Sequence, residues 1–277
     1  MRVLRSLASI LAVLVSRRAI KFLGALLIAY LCLAYWILPS LWRHYEHHPS
    51  LESSPKTTHT AEGIPGDPLN VGFIGEEKDV IHSMAAAGWL PADPITFRTS
   101  ARITESALMG KPFPTAPVSN LYLWDRVQDL AFELQVPGNT RQRHHVRLWK
   151  SPHASPDGRT VWIGAATFDR SVGVSHLTGK VTHHIAADVD DERDKLINDF
   201  TSHGQLLAFY QVTGVGSTVW GRNGGGDQYF TDGELTVGVL STSGAVNSSP
   251  VTQRENPVAV RAKNSVWNWF KGWIRSS

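Results

Sequence analysis

The sequence predicts an α+β fold: a mainly antiparallel sheet with flanking helices, preceded by one N-terminal transmembrane helix. Three observations carry this. A charge-free apolar run lies near the N-terminus, from Phe22 to Leu38. Helical periodicity opens the remainder and returns after Ala187, whereas the stretch between alternates with period two. The alternating segments are separated by short turn sequences such as PGNT, SPDGR and LTG, which connect hairpins rather than parallel crossovers.

The run FLGALLIAYLCLAYWIL reaches spanning length once Ala19 and Ile20 are added and Lys21 is allowed to snorkel. Tyr30, Tyr35, Trp36 and Trp42 form an aromatic belt in its second half, and Pro39 ends it. Arg2, Arg5, Arg17, Arg18 and Lys21 precede the span, and only Arg43 closely follows it. The positive-inside rule therefore puts residues 1–18 in the cytoplasm, the span at 19–42, and the rest across the membrane. A cleaved signal peptide is the weaker alternative, because the run is long and no small-x-small site follows it.

The formal charge of +3 is uneven. The first 43 residues contain no acidic side chain, and the remainder carries 21 basic and 24 acidic ones. The basic balance thus belongs to the membrane end and implies no nucleic-acid partner. Cys32, the sole cysteine, lies inside the span, so the exported part has neither a disulfide nor a cysteine metal ligand.

Residues 43–68 have tether composition, with His44, His47 and His48 read as polar linker residues. The globular domain is expected over 69–240. A helix opens near Glu76, buries Val80, Ile81, Met84 and Ala87, and ends at Gly88. A second short helix is expected in TSARITESAL, from Thr99, followed by the irregular KPFPTAPVS. LYLWD, QDLAFELQV, RHHVRLWK, TVWIGAATF and KVTHHI read as strands. ADVDDERDKLINDFTSHG reads as a helix capped by Asp188, with Leu196, Ile197 and Phe200 as its buried face. QLLAFYQVTG and ELTVGVL are further strands, and WGRNGGGDQYFTDG between them is expected to be a turn or loop, lacking phosphate-loop spacing. Residues 241–264 look like a second linker. In the tail, 265–277, Val266, Trp269, Phe270, Trp273 and Ile274 share one helical face, which either docks on the domain or meets a membrane surface.

Two histidine pairs are the candidate chemistry. On a strand, Arg143, His145, Arg147 and Trp149 share one side, and His144, Val146 and Leu148 the other. In VTHHIAA, His183 sides with Val181 and Ile185, and His184 with Thr182 and Ala186. An anion site would use Arg143, His145, Arg147 and His184, with the guanidinium forks holding phosphate or carboxylate. A metal site would instead use His145, His184 and carboxylates from Asp169, Asp188 or Asp190. The anion reading is preferred because arginines flanking a cation are unfavourable, so no cofactor is expected, a divalent metal being the alternative. Equally open is an internal ion-pair network joining Arg147 to Asp190 or Glu192.

Residues 68–200 resemble the LssY C-terminal domain family through PLNVGFIG, AAAGW, PVSNLYLWDRVQDLAFE, RHHVRLW, VWIGAATFDR and HHIAADVDDERD. Domains of that type are often fused behind membrane-embedded segments similar to DedA proteins or type 2 phosphatidic-acid phosphatases. The resemblance implies an α+β domain in the bacterial envelope, here on a single inner-membrane anchor, and carries no established activity. The expected partners are membrane lipid, met through Arg17, Arg18, Lys21, Trp36, Trp42, Trp269 and Trp273, and a membrane-protein complex. The leading expectation is binding of a lipid headgroup phosphate. The alternatives are an envelope hydrolase acting on a phosphorylated lipid or polymer, and a non-catalytic accessory subunit.

Overall fold

The computed structural model describes residues 17–38, 40, 51, 54–92, 120–177, 179, 181–213 and 220–276. Pro39, Trp42, the expected second helix and KPFPTAPVS lie outside the described residues. The chain divides into two compact units, Met1–His47 and His48–Ser277.

In the first unit, α1 (Arg17–Cys32) continues as a π-helical segment over Leu33–Ile37. Arg18–Ile37 is long and apolar enough to cross a membrane, a measure that a signal sequence also meets. Leu26, Leu27, Ile28 and Trp36 are exposed along it, an arrangement that suits a lipid environment better than water.

The second unit is α+β. Its early elements are β1 (Thr57–His59), β2 (Pro65–Pro68), β3 (Val71–Ile74), α2 (Glu77–Ala86) and β4 (Leu90–Pro91). The central strands follow: β5 (Tyr122–Leu123), β6 (Arg126–Val127), β7 (Leu130–Val136), β8 (Asn139–Lys150), β9 (Val161–Val174) and β10 (Val181–Ile185). Next come α3 (Val189–Ser202), β11 (Leu206–Thr213), β12 (Trp220–Arg222), β13 (Gln228–Phe230), β14 (Glu234–Leu240), β15 (Thr252–Gln253) and α4 (Val258–Ser276).

Among the described residues, nine strands form the main sheet in the order β15-β11-β14-β3-β9-β8-β7-β4, with β10 also on β9. The β14–β3 and β11–β15 pairs are parallel and the others antiparallel. β9 is long enough to hold two partners on one edge: residues 161–164 pair with β3, and 169–174 with β10.

The sheet is buried on both faces. On one, Val146, Leu148 and Trp162 meet Val80 and Met84 of α2 and Leu196, Ile197 and Phe200 of α3. On the other, Trp149 and Ile163 meet Leu121 and Leu123, beside and within β5 of a small second sheet ordered β2-β1-β5-β6. The helices form where the sequence caps them. Glu76 and Asp79 satisfy each other's backbone N–H groups at the start of α2. Gly88, at φ +82°, turns the chain so that Trp89 N–H reaches Met84 O at 2.9 Å. At α3 the Asp188 carboxylate accepts from Asp190 N at 3.2 Å.

Three stretches differ from expectation. Residues 57–59 and 65–68 of the tether are strands, and Leu51 is a core residue. These strands are three and four residues long and carry few apolar side chains, so their burial comes from neighbours that no local pattern reports. The glycine-rich insert is the β12–β13 hairpin. The second linker contains β15, and the C-terminal helix begins at Val258, not 265. Pro257 immediately precedes that helix, its carbonyl accepting from Arg261 N at 3.0 Å, and its missing N–H costs nothing there.

The inner face of α4 docks on the domain. Val260 is buried, Trp267 meets the Phe230 ring, Lys263 Nζ donates to Asp232 O at 2.6 Å, and Lys271 Nζ lies 2.8 Å from Asp188 Oδ2. Val266, Trp269 and Trp273 remain exposed on the outer face, at 68%, 76% and 61%. The tail therefore both docks and displays an apolar stripe.

Candidate functional site

The face of β8 that is apolar at one end becomes charged toward the other. Trp149 stands opposite Ile163, then Arg147 opposite Ala165, His145 opposite Thr167, and Arg143 opposite Asp169. On the other neighbour of β8, Glu133 of β7 lies opposite His145. Cross-strand partners share a face, so these polar side chains converge beneath the sheet.

Arg143 donates to Glu133 Oε2 through Nη1 at 2.8 Å and to Asp169 Oδ2 through Nε at 3.0 Å. Arg147 Nη1 donates to Asp67 Oδ2 at 2.8 Å. His145 joins the two pairs: its Nδ1 lies 3.2 Å from Asp169 Oδ1, and its Nε2 lies 2.6 Å from Thr167 Oγ1 and 2.8 Å from Arg147 Nη1. From β10, His183 Nε2 approaches Arg143 Nη2 at 3.4 Å. These groups line a cavity of about 240 Å³, whose opposite wall includes Thr60–Glu62 and the Asn223–Gly225 turn. Sites for drug-sized ligands begin at roughly 300 Å³, so this one suits a smaller group.

Burial and charge oppose each other throughout. Burial disfavours the charge on Asp67, but hydrogen bonding to His145 and the Arg147 guanidinium hold its carboxyl below the usual range. Asp169 is also driven down, burial again being outweighed, by His145, His183 and Arg143. Burial brings His183 down to about 4 despite Asp169, so its ring is neutral at pH 7 and Nε2 can accept from Arg143.

His145 is raised above the ordinary imidazole value: burial and Arg147 oppose its charge, but Asp169 and Asp67 together outweigh them. The close approach of Arg147 nevertheless demands a lone pair on Nε2, since a guanidinium can only donate. The contact with Arg147 is therefore that of a ring with its lone pair at Nε2. The surrounding carboxylates make that ring ready to take a second proton.

Residues 51–235, which include β1 to β13 and every group just described, match the family described as LssY C-terminus. The chain belongs to that family. No curated protein and no solved structure matches the chain. The match to the LssY C-terminus family starts before the motifs at 68–200 and runs past them, taking in β1, β2 and the β12–β13 hairpin that help to wall the cavity.

Within this LssY C-terminus domain, Arg143, His145, Arg147 and Asp169 come together and His184 does not join them. Ile185 is paired with Asp169, across a bulge that separates it from His184. His183, two residues before Ile185, follows it to the cavity side, and His184 turns toward Asp227, with Nδ1 2.8 Å from Oδ1. The alternation was readable, but the register that chooses its inward side was not.

Asp188 and Asp190 also lie elsewhere. Asp188 caps α3, and Asp190 accepts from Thr231 Oγ1 at 2.6 Å and from Arg193 Nη1 at 3.3 Å. The expected link from Arg147 to Asp190 or Glu192 is replaced by Asp67, while Glu192 accepts from His144 Nδ1 at 2.7 Å. A metal set built on His145 with His184 is ruled out by this parting. Among the described residues, metal-ligand spacing occurs in His176, His184 and Asp227.

Asp67, Glu133, Thr167 and His183 are site residues that sequence reasoning passed over. Glu133 carried a signal, as a carboxylate inside the apolar strand LAFELQV. Asp67, in a Gly-Asp-Pro that resembles a turn, carried none.

Proposed function

We propose that this domain binds a small anionic group, of the size and charge of a lipid headgroup phosphate, in the cavity beneath β8 and β9. The observation that carries the reading is the convergence of two guanidinium groups and two imidazoles on one small cavity. Guanidinium forks suit phosphate oxygens. Asp67, Glu133 and Asp169 outnumber the two arginines, so an arriving anion needs a compensating positive charge. His145 supplies it by taking up a proton at Nε2 as the anion draws Arg147 Nη1 away from that nitrogen, a charge that its carboxylate surroundings favour. The apolar N-terminal helix and the exposed Val266, Trp269 and Trp273 stripe support a lipid surface as the place where the ligand is met.

Inorganic sulfate is the discriminating probe, because its charge does not change over the working pH range. Calorimetric titration of the full chain in detergent micelles is expected to give saturable binding that is tighter at pH 6 than at pH 8. His183→Asn, a change at a partly exposed position, and Arg143→Gln should both weaken it. Absence of saturable binding at either pH, or binding indifferent to both variants, overturns the reading.

One observation favours hydrolysis as a second reading. Asp169, His145 and Thr167 form a carboxylate–imidazole–hydroxyl series with contacts of 3.2 and 2.6 Å. Turnover of a chromogenic phosphomonoester that is lost in Thr167→Val would support catalysis over binding alone.

A further inference from the structure

Outside the cavity, His176, His184 and Asp227 place one ligand atom each within 4.8 Å of the others. They come from three separate pieces of chain: the β9–β10 turn, β10 itself, and the turn between β12 and β13. Each is positioned by its surroundings. A Cβ on Gly173 would lie 2.5 Å from His184 Nε2, so that ring edge is seated against the β9 backbone. The other nitrogen, Nδ1, meets Asp227 Oδ1 at 2.8 Å. Asp227 is buried, its Oδ2 accepts from Ile185 N at 3.1 Å, and its own N–H donates to Asn223 Oδ1 at 2.9 Å. The backbone of His176 is tied to the same turn, its N–H donating to Gly225 O at 2.9 Å. Its ring lies over that of His184 with centroids 5.3 Å apart, and its side remains exposed.

We propose that these three residues bind a divalent transition metal of the zinc type, and that the metal staples the glycine-rich turn to the β9–β10 hairpin. Two imidazoles and one carboxylate are a donor set suited to zinc, manganese or iron, with positions left open on the solvent side. Ligands about 2.1 Å from a common centre stand roughly 3 to 3.5 Å apart. His184 Nδ1 and Asp227 Oδ1 already approach that separation, and the exposed His176 side chain is the one free to swing in. The site is distinct from the charged cavity, and the inference does not depend on what the cavity holds. The two are neighbours all the same: Asn223, Gly224 and Gly225 on one side of the staple, and Ser175 and Thr182 on the other, line the cavity. Metal at this site fixes one cavity wall.

The test uses the full chain in detergent micelles, stripped with a chelator and titrated with zinc chloride by calorimetry and with cobalt(II) by visible absorption. One zinc per chain is expected, and His176→Ala and Asp227→Asn should each weaken it at least ~10-fold. His176→Ala alters an exposed side chain, so in chelator it should unfold at the wild-type temperature. Hydrogen exchange at residues 172–177 and 220–230 should slow on adding zinc to wild type and stay unchanged in His176→Ala. A variant with His44, His47 and His48 all replaced by Ala should bind as wild type does. The proposal is overturned if wild type takes up no stoichiometric metal. It is also overturned if His176→Ala binds zinc unchanged, or if binding is lost with the three tether histidines instead.

Discussion

Replacing Asp169 by Asn removes one negative charge from a place that solvent does not reach. The carboxylate is fully buried, holds Arg143 Nε at 3.0 Å and faces His145 Nδ1 at 3.2 Å. Removing one partner of a buried charge pair costs about 3–5 kcal/mol, because the other charge stays desolvated. Arg143 keeps Glu133 at 2.8 Å, which places the expected loss near the lower end, about 3 kcal/mol. An amide at this position also turns an N–H toward either Arg143 or His145, and in the second case forces the ring into the tautomer that clashes with Arg147. Against a total of roughly 5–15 kcal/mol for a domain, such a loss is large. Urea unfolding of the full chain in micelles, followed by the fluorescence of buried Trp149 and Trp162, measures it. With a slope of about 2 kcal/mol per molar, the midpoint should fall by about 1.5 M. The effect has a defined pH course. The folded pKa of Asp169 lies far below its unfolded value of 3.8, so its stabilisation is complete above that value and lost as pH falls through the folded one. Because Asp169 also supports the raised His145 in wild type, the gap between wild type and variant should not narrow from pH 8 to 5. Asp157→Asn, in the exposed pair with Arg159, should leave the midpoint where it was. A shift below about 0.5 M at unchanged slope, or a gap that closes between pH 8 and 5, would refute the buried network.

Asp190 has the opposite sign. Burial chiefly, with the neighbouring Asp232 charge, raises it to about 6 against the pull of Arg193. Wild type should therefore gain roughly 3 kcal/mol over Asp190→Asn as pH falls from about 6 to 3.8, and parallel unfolding curves across that window would contradict this. On the outer face of α4, Trp269→Ser combined with Trp273→Ser should change the stability of the unit His48–Ser277 by no more than about 0.5 kcal/mol. The same pair should lower that unit's cosedimentation with anionic liposomes, and undiminished cosedimentation would remove the membrane role from the stripe.

The parts of the fold legible in the sequence are those whose signal is local. α2 and α3 carry a cap, a 3.6-residue stripe and a closing glycine within one stretch, and β8 and β9 are long enough for alternation to separate their faces. What stayed hidden depends on partners far along the chain. Asp67 stands 80 positions from Arg147, and nothing around it marks it as anything but a turn residue. His183 and His184 are locally equivalent, and the choice between them follows from Ile185 falling opposite Asp169. At the C-terminus, the polar Arg261, Lys263 and Asn264 disguised the first turns of α4, in which Val260 alone is fully buried.

The strands that hold the charge network also hold the core, on alternate residues. Val146 and Leu148 serve the helices' side of the sheet while His145 and Arg147 serve the cavity side. A single codon gained or lost within Asn139–Lys150 would exchange these two sets, putting a guanidinium among Leu196 and Phe200 and a leucine beside Asp67. Length can change with least harm where the ribbon turns, over the exposed residues 152–154 and 156–158. Descendants of this chain are thus free to vary the hairpin tip, while the spacing from Arg143 to Lys150 and from Val161 to Asp169 is held by two requirements at once. Losing either the cavity or the core would follow from the same frame slip.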